Sequence, residues 1–111
     1  MSESKTKPSI SLTTTEEGRV HLSGDLSFQT VPDFFSSHRD IFKPGMNNLD
    51  VDLDGIHRAD SAGIALLVEW QRQAQRQNCS IHFHNIPRQL LAIARLSGVE
   101  AILSLSSNAA G

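Results

Sequence analysis

Between Leu49 and Asp54 apolar and acidic residues alternate without a break, Leu-Asp-Val-Asp-Leu-Asp. Side chains of a strand point alternately to opposite faces, so this segment is a strand with one apolar face and one acidic face. A parallel sheet covered on both faces reads instead as continuous apolar runs. The same alternation recurs at Ile81 and Phe83 with His82 and His84, at Val20 and Leu22 with His21 and Ser23, and at Ile10 and Leu12 with Ser11 and Thr13. The pattern predicts one sheet whose helices cover a single face and leave the other open to solvent. Asp50, Asp52, His82 and His84 are expected to share that open face.

The segments between these strands have helical spacing. Thr30 reads as an N-cap, with Pro32 in the first turn and Asp33 near the positive helix end. Val31, Phe34, Phe35, His38, Ile41 and Phe42 then predict a helix that runs until Pro44-Gly45 stops it. A second helix is expected after Asp60-Ser61, reaching about Gln77, with Ile64, Leu67, Gln71 and Ala74 as its buried stripe and Val68 and Trp70 at the borders. In that phase Leu66 points away from the core, in the company of Ala62, Glu69 and Gln73. Pro87 opens a third helix through Leu90, Leu91, Ile93, Ala94 and Leu96, and Gly98 suits its C′ position. Ile102, Leu103 and Leu105 suggest a short final strand. Glu17-Gly18 makes a turn between the first two strands, and Gly24 ends that hairpin. The order β-β-α-β-α-β-α-β implies an α/β fold with a mixed sheet and right-handed crossovers between its parallel strands.

A chain of 111 residues, 39% of them hydrophobic, supports one core and not two. The expected domain spans residues 9–105, between polar tails at 1–8 and 106–111. The ten Lys and Arg are dispersed and the net charge is -2, which leaves no footprint for nucleic acid. The single cysteine, Cys79, excludes an intramolecular disulfide and suits a reducing compartment. The longest apolar run, Ile64–Val68, falls far short of the roughly 20 residues of a membrane span. Residues 1–7 lack the apolar stretch of a signal peptide. The expectation is a soluble cytoplasmic protein that meets a membrane only through a partner.

Three clusters could carry chemistry. Asp60-Ser61-Ala62-Gly63 opens a helix, whose unpaired N–H groups and partial positive charge attract oxygen ligands. Either Asp60 or Ser61 could simply cap it; the other reading is a contact for a partner. Asp50, Asp52, Asp54 and Gly55 imitate the start of a calcium loop, but the twelfth position is Ser61 in place of a bidentate Glu. His82 and His84 share a strand face near Cys79, yet no fourth ligand stands at zinc spacing. No nucleophile, base and orienting group can be assembled from spacing, and no Gly-rich phosphate loop is present. The expectation is a non-enzymatic chain with neither metal nor cofactor.

The run from Leu49 to Leu105 resembles the STAS family, whose signature is Asp-Ser, a small residue and Gly opening a helix after the central strand. Asp60, Ser61 and Gly63 match it. In the family's anti-sigma factor antagonists the Ser after the Asp is phosphorylated, which implies Ser61 as the corresponding site. Gly24-Asp25-Leu26 resembles the family's Gly-Glu-Leu-Asp segment, although Ser27 stands where a second acid is common. Leu26–Pro32, Asp60–Trp70 and Leu90–Gly98 are similar to the MlaB subfamily, the STAS subunits of the lipid-asymmetry ABC transporter. Antagonists usually carry Ser or Thr at the place of Ala62 and Gly at the place of Ala65. The subfamily resemblance implies a cytoplasmic subunit that binds the transporter's ATPase. Its contact residues would be Asp60, Ser61, Ala62, Gly63, Ala65, Leu66 and Glu69. The alternative is an antagonist switched by phosphorylation of Ser61.

Overall fold

The computed structural model describes residues 8–103. Strand β1 (Ile10–Thr14) turns back into β2 (Val20–Leu26), and helix α1 (Val31–Ser37) leads to the long strand β3 (Asn48–Ala59). Helix α2 (Ser61–Arg76), strand β4 (Ser80–His84), helix α3 (Arg88–Leu96) and the short helix α4 (Glu100–Leu103) follow. The four strands form one sheet in the order β1-β2-β3-β4. The first pair is antiparallel and the other two are parallel. This is the mixed α/β architecture expected of a STAS domain.

The alternation seen in the sequence becomes the two faces of the sheet. Val20, Leu22, Leu49, Val51, Leu53, Ile81 and Phe83 are all buried on the helix side. On the other face Asp50 and Asp52 of β3 stand opposite His82 and His84 of β4. His84 Nε2 lies 2.8 Å from Asp50 Oδ1, a diagonal contact two residues off the direct register. Asp52 accepts from the Asn85 side chain at 3.0 Å and from the Asp54 N–H at 2.9 Å. Burial pushes the Asp52 carboxyl up, but those hydrogen bonds and the nearby His21 and Arg19 outweigh it and hold it below the usual carboxylate value.

β3 continues well past Leu53, where the alternation ends. Val20 pairs with Val51 and Leu26 with Ala59, so β3 carries two more residues than β2 over the same stretch. The extra residues are bulges, and they shift the buried positions from Leu53 to Ile56 and then Ala59. Gly55 sits at the first irregularity, where a Cβ would lie 2.6 Å from Ser23 Cβ. Only glycine lets the two strands approach this closely.

Three expectations are corrected. The first helix ends at Ser37 and does not reach Phe42. The His38 ring stacks on Phe34 with centroids 4.2 Å apart, and the Asp40 carboxylate accepts from the Phe42 N–H at 3.0 Å. Such local side-chain bonds compete with helix continuation, and Phe42 reaches the core from the loop instead. The C-terminal segment through Leu103 is a helical turn, not a strand, closed by a bond from the Leu103 N–H to the Val99 carbonyl at 3.0 Å. Over so few residues, one buried and one exposed neighbour satisfies either period. Leu105 lies outside the described residues, as do most of the two tails. Third, the buried arc of α2 is wider than expected: Ile64, Leu67 and Ala74 are buried as the spacing predicts, but Ala62, Gly63, Leu66 and Trp70 are buried beside them, and Gln71 lies at the border.

Candidate functional site

The carboxyl ends of β2 and β3 meet the start of α2, and Asp60 joins them. Its N–H donates to the Leu26 carbonyl at 2.9 Å. Its Oδ1 accepts from the Ala62 N–H at 2.8 Å and so caps α2, while Oδ2 accepts from the Phe28 N–H at 3.1 Å. One carboxylate thus fixes the helix start and the loop after β2 together. Asp60 is the cap, which leaves Ser61 exposed, with no hydrogen bond to its hydroxyl among the described residues. Gly63 follows from packing: a Cβ there would stand 3.0 Å from Leu26 Cβ. The Asp-Ser-x-Gly pattern therefore has a physical reading, with Asp as cap, Ser as presented hydroxyl and Gly as the contact between helix and strand.

The loop before α1 is fixed just as firmly. Thr30 occupies the N-cap position but makes no cap bond. Its buried hydroxyl donates to the Asp25 carbonyl at 2.7 Å and accepts from the Ser27 N–H at 3.0 Å. The loop presents Phe28, which is 68% exposed, beside the start of α2. Sequence reasoning passed over Phe28 as a functional residue; the available signal was an aromatic in a polar loop next to a helix-opening motif.

Between α1 and α2 lies an apolar groove of about 290 Å³ lined by Val31, Pro32, Phe35, Ala65, Leu66 and Glu69. Ala65 is exposed on its rim, and Glu69 is half-buried and 3.5 Å from Arg76. The expected exposure of Leu66 is overturned: it is 2% exposed and belongs to the core. Its neighbours on α1 cover a flank of α2 that a helix resting only on a sheet would leave open. Of the expected contact residues, Ser61, Ala65 and Glu69 recur at intervals of one helical turn on the outer side of α2. Ala62, Gly63 and Leu66 support that surface from below. A second, more polar hollow of about 390 Å³ lies at the strand ends between Phe28, Arg58 and Asp60.

Among the described residues no group of three His, Cys, Asp or Glu is placed to hold a metal ion. Cys79 is buried, which pushes its thiol pKa up, away from the reactive thiolate. No described helix is long and apolar enough to cross a membrane.

The surface that remains has an exposed hydroxyl at a helix N-terminus, an exposed aromatic beside it and an apolar groove along the same helix. A family model described as "Mlab, STAS domain" matches residues 12–105. No curated protein is similar enough to match the chain. The match takes in every element from β2 to α4 and the whole Asp60–Gly63 motif, so the chain belongs to the STAS domain family, in its MlaB-like branch.

Proposed function

We propose that this protein is a non-catalytic subunit that binds the ATPase of a phospholipid-transporting ABC complex maintaining outer-membrane lipid asymmetry, and supports its assembly or activity. The MlaB-like family match over residues 12–105 carries this reading. Phe28, Ser61 and Ala65 supply exposed contact groups, and the groove over Leu66 takes an apolar side chain of the ATPase. Interfaces of this kind draw their energy from a few apolar anchors with a polar rim. The protein would sit on the cytoplasmic side of the inner membrane through that complex. Purification from native membranes under mild detergent, with identification of the retained proteins, tests it. An ABC ATPase is the expected companion; a switch kinase recovered in its place refutes the reading.

One observation favours a second reading, an anti-sigma factor antagonist switched at Ser61. The Ser61 hydroxyl is exposed and spared from capping, so a kinase could reach it. Intact mass of the protein from growing cells separates the two readings, because the second requires a phosphorylated fraction that Ser61→Ala abolishes.

A further inference from the structure

We infer that the outer edge of β1 is a self-association site, where a second copy of this chain adds its own β1 antiparallel and joins the two sheets into one. The surface is separate from the groove between α1 and α2. β1 is an edge strand, with β2 on one side only. Its free backbone groups can be assigned. The Thr15 N–H donates to the Arg19 carbonyl at 2.8 Å, and the Asp25 N–H donates to the Ser9 carbonyl at 2.9 Å. With the register Ile10↔Gly24 to Thr14↔Val20, the odd-numbered residues of β1 therefore turn their N–H and C=O groups toward β2. Ile10, Leu12 and Thr14 turn theirs outward, unpaired among the described residues.

Edge strands are commonly blunted by charge, proline or a bulge. Ile10–Thr14 contains no charged residue and no proline, and its pairing with β2 is regular throughout. It also leaves apolar surface uncovered, since Ile10 and Leu12 pack on the core but are only half-buried. The opposite edge differs. On β4 Ile81 and Phe83 are already 5% and 4% exposed, so an added strand would cover little apolar area there.

The occupant is a second copy because β1 is complementary to itself. Antiparallel pairing about Leu12 sets Leu12 against Leu12 of the second copy and Ile10 against Thr14, which join the two cores on the helix side. Ser11 meets Thr13 on the open side as hydroxyl pairs, a favourable cross-strand combination. No like charges oppose, and the contact closes with two-fold symmetry. Beside this edge, below α1, is a hollow of about 300 Å³ bordered by Ile10, Asp33, Phe34 and His38. In the same register the Thr14–Thr15 segment of the second copy runs along its mouth.

The test uses the intact protein. Sedimentation velocity from micromolar to millimolar concentration should show monomers giving way to dimers. Amide exchange followed over the same range should slow by about tenfold or more at Leu12 and Thr14 and stay unchanged on β4. Thr14→Pro removes one outward N–H without touching a bond to β2, so it should weaken the dimer and leave the melting temperature nearly unchanged. A monomer at every concentration, a dimer indifferent to Thr14→Pro, or protection confined to α2 would each overturn the inference. If the proline variant does not fold, the exchange pattern of the unaltered protein decides the matter alone.

Discussion

The burial of the Leu66 side of α2 is best tested at Leu66 itself, because two adjacent residues of that helix should respond in opposite ways. Leu66 is 2% exposed and Ala65, next to it, is exposed. Truncating a buried Leu to Ala costs about 2–5 kcal/mol, with the larger values where the cavity cannot relax. Leu66 already borders the groove, so its removal widens a hollow open to solvent and does not seal an empty one. The lower part of the range applies, about 2–3 kcal/mol. At roughly 4–8 °C per kcal/mol for a domain near this size, Leu66→Ala should lower the melting temperature by ~10–20 °C. Leu66→Asp should do worse, since it places a carboxylate in the core without a partner. Ala65→Asp, by contrast, should cost no more than about 0.7 kcal/mol, the difference in helix propensity. Thermal and urea unfolding of the three variants provide the measurement. If Leu66→Asp melts with the unaltered protein while Ala65→Asp unfolds, α2 presents the opposite side to the core and the assignment of the groove falls with it.

Other consequences can be checked independently. Asp60→Ala removes both the cap of α2 and the tie to Phe28, and should destabilise by about 1–2 kcal/mol in urea titrations, with faster amide exchange at Phe28 and Ala62. Ser61→Ala should leave stability within about 0.5 kcal/mol, because Ser61 is exposed and is not the cap. Any loss in a pull-down of the proposed ATPase partner is then a loss of contact and not of folding. Asp52 titrates below its ordinary value of 3.8, so its contribution to stability is complete above that pH and is lost as pH falls through the lower folded value. The residue is half-buried on the face of the sheet that borders solvent, so screening should keep the loss below about pH 4 under about 1 kcal/mol. Urea midpoints between acid pH and neutrality should show this slope, and Asp52→Asn should flatten it.

Much of the fold is legible because strand and helix impose different periods on the same chemistry. The alternation at Leu49–Asp54 and at Ile81–His84 foretells one covered face and one open face, and the parallel pairing of those strands puts Asp50 beside His84 at 2.8 Å. Asp60-Ser61-Ala62-Gly63 is legible as a helix start because cap chemistry is local. What periodicity misses is the point where it breaks. β3 runs on to Ala59 through bulges that only its pairing with β2 defines, and α1 stops at Ser37 because His38 and Asp40 form local bonds in its place.

The candidate site divides along the same line. The sequence by itself determined that Asp60-Ser61-Ala62-Gly63 opens a helix and that the sheet has a single covered face, since the first depends on neighbours a few residues apart and the second on a strict alternation. Only the tertiary structure decided that Leu66 is core, that Phe28 stands beside Ser61 and that a groove lies between α1 and α2. A helix with apolar residues on more than half of its circumference does not show by its period how wide its buried arc is. That width is set by the second helix that packs against it, and that contact joins residues more than thirty positions apart in the chain.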